Sequence, residues 1–163
     1  MLSPEERGVV STDNGLLDGK YEVQKVLGEG TTGQVLAVWD ALAGQNFALK
    51  KFRPEIDHAL IRQEFGILLQ LAHKNIVRTH DLFSDGGEIY LKMELLTGRS
   101  LQERLTDDGP LEFEPAVNWF LEVLEALQVL HSTRKEGVHF VHRDIKPENL
   151  VVEETGRGLV LVD

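Results

Sequence analysis

From Tyr21 onward the order of apolar and polar residues divides the chain into short blocks. YEVQKVL, QVLAVWDAL and QNFALKKF are apolar and β-branched runs separated by Gly-containing turns, which predicts three sequential antiparallel strands. Residues 55–72 change to helical spacing, with Leu60, Ile61, Phe65, Leu68 and Leu69 forming the apolar set. Glu64 lies four residues from both Leu60 and Leu68, which places a carboxylate on that apolar face. There it needs a cationic partner or a raised pKa. Two further strands are predicted near 77–83 and 88–95, joined by the turn Asp85-Gly86-Gly87. Helices are predicted over 99–105 and 114–131, the second with a broad apolar face in which Trp119, Phe120 and the following leucines read as core. A loop follows, then a turn at Thr155-Gly156-Arg157-Gly158 and the strand LVLV, which runs into Asp163. Residues 1–19 are polar and turn-rich with no periodicity, and read as a leader or linker.

Composition narrows the chemistry. The 163 residues suit about one domain, and a hydrophobic content of 42% supports a packed core. Seventeen Lys and Arg against 27 Asp and Glu give a formal charge of -10, so no broad attraction to nucleic acid or to an anionic membrane is expected. Phosphate binding has to come from a local site. The absence of cysteine excludes disulfides, Cys-based metal sites and a thiol nucleophile. The first residues lack a basic stretch followed by an apolar run, and no segment reaches ~18 uninterrupted apolar residues. A cytoplasmic chain is the expectation.

Three segments carry candidate chemistry. Gly28-Glu29-Gly30-Thr31-Thr32-Gly33 is a GxGxxG turn, whose glycines let backbone N–H groups approach phosphate oxygens. A strand-like run follows it rather than a helix, so it reads as a hairpin flap. In Phe47-Ala48-Leu49-Lys50, period-two alternation puts Ala48 and Lys50 on one sheet face and Phe47 and Leu49 on the other. Lys50 and Glu64 are thus candidates for a pair that holds an ammonium against phosphates. His142-Arg143-Asp144-Ile145-Lys146-Pro147-Glu148-Asn149 supplies a carboxylate to accept a hydroxyl proton, a cation to neutralise a phosphoryl group and an amide oxygen for Mg²⁺.

With these segments in this order, the chain resembles the eukaryotic-like Ser/Thr protein kinase family from about residue 20 to 163. VHRDIKPENL resembles its catalytic loop, FALK its VAIK strand and GEGTTGQV its Gly loop. The resemblance implies an α+β kinase-like fold with two lobes. An N-lobe over 20–96 would hold an antiparallel five-stranded sheet and one helix. Residues 97–163 would begin a C-lobe that carries the first helices and the catalytic loop but is incomplete.

It also implies ATP and Mg²⁺ as cofactors and a Ser/Thr protein as substrate. Leu27, Gly28, Gly30 and Gly33 would cover the nucleotide, while Val35, Ala48 and Val151 would sandwich adenine. Met93 would be the gatekeeper, with Glu94 to Leu96 as the hinge backbone. Lys50 would meet the α- and β-phosphates and Glu64 would hold Lys50. Asp144 would be the base and Lys146 would stand beside the γ-phosphate, with Asn149 and Asp163 as Mg²⁺ ligands. His142 would pack beneath the loop, and Arg143 would let a longer parent respond to activation-loop phosphorylation.

KPEN argues for Ser/Thr rather than tyrosine specificity. Thr79 occupies a place where the family often has an apolar residue. The family pattern continues past Asp163 with Phe-Gly and further helices, so this stretch is expected to be a segment of a longer kinase. The isolated chain should bind nucleotide weakly and transfer little. The rival reading is a pseudokinase or scaffold module, against which the complete set of Lys50, Glu64, Asp144, Asn149 and Asp163 argues.

Overall fold

A computed structural model describes residues 15–135, 138–139 and 141–162, with backbone alone at 134, 135, 138 and 139. Asp163, expected as a metal ligand, lies outside the described residues. The elements run β1 (Tyr21–Glu29), β2 (Gly33–Asp40), β3 (Gln45–Phe52), α1 (His58–Leu68), β4 (Thr79–Asp85) and β5 (Glu88–Glu94). Then come β6 (Gly98–Ser100), α2 (Leu101–Asp108), α3 (Phe113–Ser132), β7 (Arg134–Lys135), β8 (Val138–His139), β9 (Leu150–Glu153) and β10 (Gly158–Leu161). The first group forms one antiparallel sheet in the order β1-β2-β3-β5-β4, the expected five strands with one helix.

Alternation along β3 decides which residues share a face. Phe47 and Leu49 pack on one side with Tyr21, Leu36, Val38 and Tyr90. Ala48 faces the other side and clusters with Leu91 and Met93, joined by the half-buried Val35, Phe65 and Leu68. Leu17, in the stretch read as a leader, is 1% exposed and belongs to the first cluster. The β4–β5 turn is closed by Gly86 and Gly87 at φ 58° and 84°, the pair of left-handed positions that a two-residue hairpin needs.

Three boundaries and one helix face differ from expectation. The first helix begins only after Asp57, whose carboxylate caps Ala59 N at 2.8 Å. Its buried side is Ile61 and Ile67 with Phe65 and Leu68 half-buried, whereas Leu60 and Leu69 are exposed. Residues 77 and 78 fall outside β4, since Ile76 bridges to Leu161 and Val77 N donates to Leu161 O at 2.9 Å. Residues 99 and 100 form strand rather than helix, since β6 pairs with β9 and Ser100 then starts α2 through a reciprocal capping box with Glu103.

The second unit gathers α3 against the sheet β10-β9-β6 around Val123, Ala126, Leu130, Leu150, Leu159 and Leu161. Trp119 packs against this core, but Phe120 is 64% exposed, and Leu121 and Leu124 are exposed with it. The expectation that all of them are core is corrected: α3 buries one face and leaves an apolar stripe open. Among the described residues no helix is long and apolar enough to cross a membrane.

Candidate active site

The cleft between the two units is lined by Lys50, Phe52, Glu64, Leu68, Thr79, Met93, His142 and Val162, among others. Lys50 reaches it from β3, and the residue is only 7% exposed. Burial lowers its pKa to about 8, while the negative charges of Glu64 and Asp144 pull it back up. Its ammonium also stands 5.4 Å from the Phe52 ring centroid.

Glu64 is at the solvent-open rim of the cleft. Desolvation of its carboxyl raises its pKa, and Arg143 and then Lys50 oppose that shift. The two residues of the expected pair thus share the cleft and feel one another's charge. No Lys50–Glu64 contact within 4.0 Å occurs among the described ion pairs.

The catalytic-loop residues come together directly. Lys146 Nζ is 2.8 Å from Asp144 Oδ2, and Asn149 Nδ2 donates to the same oxygen at 2.9 Å and to Asp144 O at 2.9 Å. Lys146, through its hydrogen bond, and then Asn149 hold the Asp144 carboxyl below its ordinary range. The bonds fix the loop from within, with Pro147–Asn149 forming a single 3-10 turn and Arg143 at φ 64° turning the chain into it. His142 packs beneath: burial lowers its pKa, and a hydrogen bond to the Val162 backbone counters this. Its Nδ1 has no hydrogen-bond partner among the described residues.

The residues expected around adenine are more dispersed. Val35, Ala48 and Met93 share one apolar cluster, and Met93 stands opposite Thr79 in the β4–β5 register. Thr79 itself is buried. Val151 belongs to β9 in the other unit and is half-buried, while Leu27 on β1 is exposed. The glycines of the flap fall into two kinds. A Cβ at Gly28 or Gly30 would meet nothing within 4 Å, which leaves the space over the cleft open, whereas one at Gly33 would lie 2.0 Å from Lys51 O.

Three residues not anticipated from the sequence, Arg157, Asn75 and Arg53, hold this frame. Glu94 at the start of the hinge accepts Arg78 N at 2.8 Å and Arg157 Nη1 at 2.8 Å, and Arg157 Nε also donates to Lys74 O at 2.9 Å. Asn75, fully buried, donates to Arg157 O at 3.1 Å and Leu159 O at 2.8 Å. Arg53 grips the flap. Its signal was available, because the β2–β3 register pairs Gly33 with Phe52 and leaves the next residue beside the Gly turn. Glu94 and Arg157 are too far apart in sequence to be matched from pattern.

No group of three or more His, Cys, Asp or Glu that could hold a metal occurs among the described residues. The oxygen donors present do fit a hard cation. Asn149 spends its amide N–H groups on Asp144, which leaves its Oδ1 as a donor near a carboxylate.

A five-stranded sheet with one helix, a Gly-rich hairpin, a buried strand lysine and a lysine-braced aspartate loop together define a protein-kinase fold. Residues 21–163 match the family described as Protein kinase domain, and the chain belongs to that family. It is 36% identical to calcium/calmodulin-dependent protein kinase type IV of Homo sapiens over 131 residues, 80% of this chain and 27% of that protein. It is 35% identical to CBL-interacting serine/threonine-protein kinase 26 of Arabidopsis thaliana over 143 residues, 85% of this chain and 31% of that one. Among solved structures, Rad53 1-466 in complex with AMP-PNP shares the fold at a TM-score of 0.77 and 24% identity, covering 88% of this chain and 38% of that chain. This chain thus spans about a third or less of the curated relatives it matches.

Proposed function

We propose that this chain is the ATP-handling part of a Ser/Thr protein kinase, in which the γ-phosphoryl group of ATP passes to a Ser or Thr hydroxyl of a protein. The observation that carries this reading is the position of Asp144. It is held by Lys146 and Asn149 and is close enough to the buried Lys50 to act on its charge. A base and a phosphoryl-facing cation are then near enough to the phosphate-facing cation to serve one transfer.

Both described bonds to the Asp144 carboxylate end on Oδ2, so Oδ1 is the oxygen that would receive the hydroxyl proton. As the hydroxyl oxygen bonds to the γ-phosphorus, the bridging bond to the β-phosphate breaks and ADP departs. Lys146 faces the charge on the moving group, and Lys50 holds the α- and β-phosphates. Asn149 and Asp163 would hold Mg²⁺, which when bound neutralises phosphate oxygens. Leu27, Val35, Ala48 and Val151 would enclose adenine, Met93 would act as gatekeeper, and the Glu94–Leu96 backbone would read its edge.

The test is transfer of labelled phosphate from ATP to a Ser/Thr peptide library by the longer kinase that carries this segment, compared with its Asp144→Asn variant. The reading expects transfer in the wild type and a loss of about 10²–10⁴-fold in the variant. ATP binding with no transfer by that longer protein would favour a scaffold module instead.

A further inference from the structure

The turn that would cover an anionic nucleotide carries a carboxylate of its own. Glu29 lies between Gly28 and Gly30, in a chain whose formal charge is already -10. An uncompensated anion there would repel phosphate oxygens. Packing does not restrain this part of the flap, since nothing lies within 4 Å of where a Cβ would stand at Gly28 or Gly30.

Arg53, the first residue beyond β3, contacts the turn at three points. Its backbone N donates to Thr32 O at 3.0 Å. Its Nε and Nη2 donate to Gly30 O at 3.3 and 3.2 Å, and Nη2 is also 3.1 Å from Glu29 Oε1. The turn closes on itself through Gly30 N donating to Gly33 O at 2.8 Å, so the tip moves as a unit that Arg53 holds. A planar guanidinium suits this work because its fork reaches a carbonyl and a carboxylate together.

We infer that Arg53 is a positioning residue for the nucleotide's phosphates: it fixes the height of the Gly28–Gly33 tip and cancels the Glu29 charge, so that the flap accepts a polyphosphate. This rests on the nucleotide-binding reading above. An ordinary exposed ion pair would contribute little and would not distinguish one ligand from another. Here the contribution scales with the phosphate charge beneath the flap.

Calorimetric titration of the full chain with ATP, ADP and adenosine separates the two. Arg53→Ala should weaken ATP about tenfold, a loss on the scale of one charge-assisted hydrogen bond. ADP should weaken less and adenosine should change less than about twofold. Arg53→Lys should restore part of the ATP affinity, and adding Glu29→Gln to Arg53→Ala should recover most of it by removing the uncompensated carboxylate. Equal losses for all three ligands, unchanged ATP affinity, or no recovery with Glu29→Gln would overturn the inference while leaving nucleotide binding intact. A wild type that binds no ATP contradicts the nucleotide-binding reading and this inference with it.

Discussion

Lys50 and Lys92 stand on adjacent strands of one sheet, on opposite faces, and the protein treats them differently. Register explains the faces: Lys50 lies across from Leu91, and Lys92 across from Leu49. Lys92 is neutralised inside its own sheet. Asp40 on β2 meets its ammonium at 2.8 Å, and the Phe47 ring centroid is 3.6 Å away. Asp40 in turn accepts Leu42 N and Ala43 N, each at 3.0 Å. Burial would raise the Asp40 carboxyl, but Lys92 and these backbone donors hold it below its ordinary range. Among the described residues, the carboxylates that act on Lys50 come from other elements, Glu64 on α1 and Asp144 in the catalytic loop, and burial prevails with a pKa of about 8. One lysine is thus part of the frame, while the charge of the other depends on how helix and loop are set against the sheet.

The largest effect should come from breaking the frame. Lys92→Met leaves Asp40 buried without its cation and should cost about 3–5 kcal/mol in denaturant unfolding, with nucleotide affinity unchanged. Lys50→Met should do the reverse. Stability should change by less than about 2 kcal/mol, because the desolvation cost of the ammonium is removed together with its contacts, while ATP affinity in titration falls tenfold or more.

The pH dependence separates the two next. The pKa of Lys50 is lowered on folding, so above about 8 the native state releases a proton that the unfolded chain keeps until ~10.4. Stability should therefore rise from about pH 8 toward 10 relative to Lys50→Met, measured by unfolding across that range, as ATP affinity falls. The smallest effect belongs to Phe47→Leu, which should cost about 1–2 kcal/mol through lost packing and cation–π contact with Lys92, with no change in ATP binding.

Much of this was legible in the chain because it is written at short range. Alternation in FALK separated the faces of β3, and the spacing within HRDIKPEN placed Asp144, Lys146 and Asn149 within reach of one another. The frame was not legible. Asp40 and Lys92 are 52 positions apart, and Glu94 and Arg157 are 63 apart, so neither pair leaves a local signature. Val77 looked like the start of a strand with the residues after it and bonds to β10 instead, because a tertiary partner decided its pairing. Glu64 was placed on an apolar face, yet it stands at the rim; the buried side of α1 follows Ile61 and Ile67 rather than Leu60 and Leu69.

The central claim is that Lys50 is the cation that meets the nucleotide's phosphates. Lysine ¹³Cε NMR titration of the full chain, assigned with Lys50→Met, tests it without reference to turnover. The account expects a Lys50 midpoint near 8 in the free protein that moves upward when ATP is added, as phosphate charge restores the ammonium. A midpoint at the ordinary lysine value, unmoved by saturating ATP, would contradict it.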